Sequence, residues 1–188
     1  MNRKATPILL ALVILMGLLA YFTERPRASS SASALSAAAQ GATVLSVRQD
    51  DIVQVRMKRD YWNSYTLARG TDGAWKIVDP STEPALEPAV RKLLAALEAL
   101  PALTVINLPA DDSERHREYG LWTPALQVTV STQDGEQTLL VGTATADGKG
   151  VYCARAGQDK VYVTSAQALQ GLSQDLAAYR REQAPAQP

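Results

Sequence analysis

The chain has 188 residues, in which 19 lysine and arginine residues balance 19 aspartate and glutamate residues. Because the basic residues are scattered and the net charge is near zero, no positive field attracts a phosphate backbone, and we exclude nucleic acid as a partner. The single cysteine, Cys153, and the single histidine, His116, exclude an intramolecular disulfide bond and a structural zinc site.

The amino-terminal part of the chain predicts a membrane anchor. Residues 5–23 contain no charged side chain and end in Tyr21, Phe22 and Thr23. About 20 apolar helical residues cross the hydrocarbon core of a bilayer, and aromatic rings favour its interface. We therefore interpret residues 5–23 as one transmembrane helix in contact with the lipid bilayer. A signal peptide cleaved late, within residues 28–39, is the alternative.

The flanks of this segment predict its orientation. Residues 1–4 carry Arg3 and Lys4 and are interpreted as a cytoplasmic leader, since a short basic leader usually stays inside. Residues 24–42 are rich in Ala and Ser and predict a flexible stalk. The expected location is the bacterial inner (cytoplasmic) membrane, crossed once, with the carboxyl-terminal domain in the periplasm.

Residues 43–181 predict one extracytoplasmic α+β domain, followed by a disordered tail at 182–188. Glycine-containing turns at 70–73, 133–136 and 156–159 separate short runs of alternating polarity. Such turns between alternating runs indicate antiparallel β hairpins.

Two packed amphipathic helices complete the predicted domain. Apolar residues recur at three- and four-residue spacing over 83–100, and Pro101 ends this helix. A closing helix follows Thr164 or Ser165, either of which can cap it. Because 43–108 and 109–181 both run from strands to a helix, we interpret them as pseudo-duplicated halves.

Residues with catalytic potential do not form a recognisable constellation. His116 lies near Ser113 in one polar segment, but neighbours in sequence rarely supply triad geometry. Cys153 lies in an alternating run that favours a buried structural role. The acidic residues at 111, 112 and 114 lack the spacing of a calcium loop, and the glycines of 142–150 lack the order of a phosphate loop. We expect no catalytic residue, no cofactor and no metal, and any small-molecule ligand stays undetermined.

The aromatic residues supply the candidate contacts. Tyr61, Trp62 and Tyr65 cluster before a predicted strand, and Trp62 has polar neighbours. An exposed Trp beside Tyr can anchor an interface, so these three are candidate partner contacts, with core packing as the alternative. Trp75 shares a strand face with Ile77 and is predicted to be core.

Five phrases in order resemble one known family. After the amino-terminal membrane segment come Gly-Ala-Trp-Lys-Ile-Val-Asp-Pro at 73–80, the helix end at 93–100, Glu-Tyr-Gly-Leu-Trp-Thr-Pro at 118–124, Leu-Leu-Val-Gly at 139–142, and Val-Tyr at 151–152 with Val-Tyr-Val at 161–163. Over roughly 47–180 the chain resembles the domain-of-unknown-function family numbered 4340. The resemblance implies a membrane-anchored extracytoplasmic protein, encoded in some cases beside transporter components of the gliding-motility type. It implies no catalytic residues.

Taken together, the sequence predicts a non-enzymatic, membrane-anchored accessory module of a membrane protein complex, with an integral membrane protein as its partner. The resemblance favours an ABC transporter of the gliding-motility type. The alternative is an envelope module that binds a lipid, a glycan or a cell-wall fragment. A hydrolase using Ser113 and His116 is a third interpretation.

Overall fold

The computed structural model describes residues 42–59, 63–109 and 111–180. The predicted leader, anchor, stalk and tail lie outside these residues, except that residue 42, the last of the stalk, is described. Within the described ranges, no helix is both long enough and apolar enough to cross a membrane.

A single antiparallel sheet of nine strands dominates the described part of the chain. Its strands are β1 (Ile52–Lys58), β2 (Ser64–Arg69), β3 (Trp75–Asp79), β4 (Glu83–Pro84), β5 (Thr104–Asn107), β6 (Leu126–Thr132), β7 (Gly135–Ala144), β8 (Gly150–Arg155) and β9 (Lys160–Ser165). The helices are α1 (Glu87–Glu98), α2 (Ser113–Glu118) and α3 (Ala166–Gln170), followed by a 3₁₀ helix (Leu176–Tyr179). The predicted α+β class is therefore correct in its coarse form.

The strand order is β4-β3-β2-β1-β6-β7-β8-β9-β5. Each predicted turn joins neighbouring strands, because local turn chemistry sets a hairpin without help from the rest of the chain. The two predicted halves are joined by the pairing of β1 with β6. Strand β5, from the first half, pairs with β9 at the far edge, so both halves contribute to one continuous sheet.

One face of the sheet carries the main core. Helix α1 buries Val90, Leu93, Leu94 and Leu97 on a single stripe. These side chains pack in one cluster with strand residues that include Trp75, 4% exposed, and Cys153, which is fully buried. Both residues occupy the core positions predicted for them.

The opposite face carries a smaller cluster only over β7, β8, β9 and β5. Leu108, Leu121, Ala154 and Val161 are buried there, and Tyr119 and Tyr152 pack against them. The segment that contains α2 covers this part of the sheet. It therefore places the residues that follow α2 against β7 and β8.

Both predicted helices are shorter than expected. The first begins at Glu87 instead of residue 83, because Glu83 and Pro84 pair with β3 as an edge strand. The second begins after Ser165, whose side chain accepts a hydrogen bond from the Ala168 amide, but it ends at Gln170. Leu172 and Tyr179, which lie beyond this helix, are nevertheless buried, and Tyr179 is the last residue of the 3₁₀ helix.

Candidate interaction site

The structure defines the surroundings of the two residues with catalytic potential, His116 and Cys153. His116 lies in α2, and its Nδ1 is 2.7 Å from the backbone oxygen of Asp112. Burial raises the pKa of the Cys153 thiol to about 12, which leaves it un-ionised at neutral pH. In the part of the chain that the structure describes, no group of His, Cys, Asp and Glu side chains is placed to hold a metal ion.

The predicted contact residues divide into two sets. Tyr61 and Trp62 lie outside the described residues, so their role stays a prediction. Tyr65 is 6% exposed, its hydroxyl donates to the Gln174 carbonyl at 2.8 Å, and its ring centroid is 5.6 Å from that of Tyr179. Burial raises the pKa of Tyr65. Tyr65 is thus a core residue here, with little surface left for a partner.

A different aromatic residue is exposed, and the local backbone explains its position. Asp112 caps α2 by accepting a hydrogen bond from the Arg115 amide at 3.2 Å. Helix α2 ends at Glu118, and Gly120, two residues later, has a φ of +68°. The amide of Gly120 donates to the Arg117 carbonyl and that of Leu121 to the His116 carbonyl, which is the Schellman arrangement. This ending turns the chain sharply toward the sheet.

Strand β7 then holds the turn in place. The Thr143 amide donates to the Tyr119 carbonyl at 2.9 Å, and the Thr143 hydroxyl lies 3.4 Å from the Glu118 carbonyl. Gly142 permits this approach, because a Cβ atom there would overlap the Tyr119 carbonyl oxygen. Two of the phrases noted in the sequence, at 118–124 and 139–142, therefore meet in space.

Side-chain packing also holds Tyr119 and Leu121 against the sheet. The Tyr119 ring stacks on Tyr152 with centroids 4.3 Å apart and planes inclined by 24°. Leu121 is buried in the smaller cluster. Desolvation raises the pKa of the half-buried Tyr152, and the neighbouring Tyr119 adds to the effect. The hydroxyl of Tyr152 therefore stays neutral at physiological pH, as an uncharged polar group at the edge of this surface.

Trp122 is the residue that this support presents to solvent. It is 62% exposed, the most exposed large hydrophobic residue in the described part of the chain. The Arg117 guanidinium carbon lies 5.3 Å from its ring centroid, within the range of a cation–π contact. We call residues 119–124 the Trp122 loop.

This arrangement suits binding by a pre-organised anchor. Held at 119, 120 and 121 by the contacts above, the loop loses little conformational freedom when Trp122 is covered. Trp and Arg are, with Tyr, the residue types enriched at the energetic centre of interfaces. Sequence reasoning noted Trp122 without assigning it a contact role, although Gly120 after a polar helical segment is a signal for the turn that exposes it.

Comparison with known proteins gives one match. A family model described as "Domain of unknown function (DUF4340)" matches residues 75–184, a range that includes Trp75, the Trp122 loop and Gly142. No curated protein and no solved structure matches the chain.

Proposed function

The chain belongs to the DUF4340 family, whose description assigns no function, and we propose that it is a non-enzymatic, membrane-anchored accessory module of a membrane protein complex. In this proposal residues 5–23 cross the inner membrane and the sheet domain lies in the periplasm. The partner is an integral membrane protein, with a transporter of the gliding-motility ABC type as the first choice.

The exposure of Trp122 on a fixed base is the observation that carries this proposal. An indole left 62% exposed is an unused apolar surface, and burying it against a partner removes that surface from water. Arg117 adds a charged rim to the same spot. A tether that keeps the domain close to the bilayer would raise the effective concentration of a partner embedded in the same membrane.

A position-specific cross-linking experiment tests the proposal. A photoreactive benzoylphenylalanine replaces Trp122 in the full-length membrane protein, and a matched variant carries it at Val78, which is 41% exposed on β3. Strand β3 is separated from β7 by β2, β1 and β6, so the control reports on a distant part of the sheet. We expect a cross-link to one polytopic membrane protein from position 122 and none from position 78.

Substitution gives the matching energetic test. Loss of a central Trp contact costs about 2 kcal/mol or more, which is roughly 30-fold in affinity. Recovery of the partner from detergent-solubilised membranes should therefore fall strongly with Trp122→Ala and remain with Val78→Ala. Recovery of this chain alone under several mild detergents, or equal recovery with both variants, would overturn the proposal.

A further inference from the structure

A cleft of about 410 Å³ lies between α1 and the carboxyl-terminal segment. Leu86, Ala89 and Lys92 line it from the side of α1, and Gly171, Ala178 and Tyr179 line it from the other side. None of these residues belongs to the Trp122 loop. The volume is within the range of small-molecule sites, roughly 300–1,000 Å³.

Small side chains keep this cleft open. Ala89 and Ala178 line a space that larger apolar residues would fill, and Leu86 stays 38% exposed at its rim. Packed interiors rarely leave apolar space empty, because the lining atoms then lack partners. The cleft is therefore a place where an apolar chain would gain contacts that the protein itself does not supply.

The walls of the cleft are fixed before any ligand arrives. The Leu86 amide donates to the Tyr179 carbonyl at 2.7 Å. One residue farther along, Arg180 Nε donates to Glu83 Oε1 at 2.9 Å, which ties the end of the segment to β4. Gly171 packs close to α1, since a Cβ there would lie 3.0 Å from the Ala96 methyl group.

A positive charge stands at the edge of this apolar space. Lys92 is exposed and lines the cleft, and no ion pair among the described residues involves it. Asp175, the nearest acidic residue in sequence to the lining residue Gln174, is already paired with Arg59 at 2.8 Å. The lining therefore complements a molecule with an aliphatic tail and one negative charge.

We propose that this cleft binds a fatty acid, with the hydrocarbon chain against Leu86, Ala89 and Ala178 and the carboxylate at the Lys92 ammonium group. Apolar burial supplies most of the affinity, and each methylene that enters the cleft raises it by up to about fourfold. The gain stops when the chain fills the cleft. This binding is independent of the Trp122 loop, so the failure of either proposal leaves the other standing.

The probe is dodecanoic acid carrying a diazirine on its chain and a terminal alkyne, used with the full-length protein in phosphatidylcholine nanodiscs. We expect saturable labelling of peptides from 86–92 and 171–179. Octanoic, decanoic and dodecanoic acids should compete with increasing potency. Potency that keeps rising by the same factor per methylene in acids too long for the cleft, as partition into the bilayer does, or labelling that does not saturate, would overturn the proposal.

Three variants test the apolar cleft and the charge of Lys92 separately. Ala178→Leu and Ala89→Leu each fill the cleft and should lower labelling at least tenfold, with thermal melting as the check on folding. Lys92→Gln should lower labelling by the acid severalfold and leave labelling by the corresponding dodecanol probe unchanged. Val78→Leu, on a distant strand, is the control for both probes. Undiminished labelling in the folded cleft variants refutes the site. Undiminished labelling of Lys92→Gln by the acid refutes the role of Lys92.

Discussion

Replacing Gly142 with alanine tests whether the Trp122 loop is held as the structure indicates. The added Cβ atom would overlap the Tyr119 carbonyl oxygen and lie 3.3 Å from the Gly120 carbonyl carbon. Both are backbone atoms, so no side-chain rotation relieves the collision. The loop must move away from β7, and the hydrogen bond from the Thr143 amide to Tyr119 is then lost.

The magnitude follows from these two effects. Overpacking a buried position costs about 1–3 kcal/mol, and loss of a backbone hydrogen bond adds about 1 kcal/mol. The sum is roughly 2–4 kcal/mol, which corresponds to a decrease in Tm of about 5–15 °C for a chain of this size. Thermal melting followed by circular dichroism measures it, and cross-linking from position 122 should fall in the same variant.

Gly157→Ala is the matched control. Gly157 has a φ of +78°, and a Cβ added there would have no atom within 4 Å, so alanine meets backbone strain but no collision. That strain costs roughly 1–2 kcal/mol and leaves the Trp122 loop untouched. If Gly142→Ala melts no earlier than Gly157→Ala and cross-links equally well from position 122, the close approach of β7 to the loop is not what holds Trp122.

Three further predictions concern the core, the thiol and the membrane topology. Trp75→Ala should destabilise the protein by about 3–5 kcal/mol, because Trp75 is buried. Trp62→Ala should leave the Tm nearly unchanged and weaken partner recovery. Equal melting temperatures of the two variants would place Trp62 in the core. Burial raises the pKa of Cys153 to about 12 from a usual value of 9.0. The stability due to its neutral thiol is therefore complete below pH 9.0 and is lost as pH rises toward 12. Denaturant titrations should show this decline in the free energy of unfolding, and the decline should be smaller in Cys153→Ala. Alkaline phosphatase fused after Pro188 should be active, because the fusion point is expected in the periplasm. An inactive phosphatase fusion, together with a fluorescent fusion that is active only in the cytoplasm, would show the opposite orientation.

The hairpins could be predicted from sequence because their signals are local. The turns at 70–73, 133–136 and 156–159 contain Gly73, Gly135 and Gly157, each with a positive φ that suits glycine. Trp75 was likewise predictable, since alternation along β3 places it on the same face as Ile77. The alternation of apolar and polar residues next to Trp75 in the chain was enough to predict which face of β3 it occupies.

The extent of the helices was less predictable. The helix predicted over 83–100 begins four residues before the observed start of α1 at Glu87. Glu83 and Pro84 are excluded from the helix because they pair with β3 as strand β4. Tyr65 could not be distinguished from an exposed Tyr, because β2 buries three consecutive residues, Tyr65, Thr66 and Leu67, instead of alternating.

By itself the sequence determined the near-zero charge, the lack of an intramolecular disulfide bond, the uncharged span at 5–23, the hairpin turns and the membership in a family. These depend on composition or on residues adjacent in the chain. The tertiary structure decided that β1 joins β6, that β5 crosses to β9, and that Trp122 rather than Tyr65 faces solvent. Those outcomes depend on distant parts of the chain, such as the Tyr119 carbonyl meeting the Thr143 amide above Gly142. The exposure of a residue depends on which other residues pack over it, and a local sequence pattern does not identify packing partners that are distant in the chain.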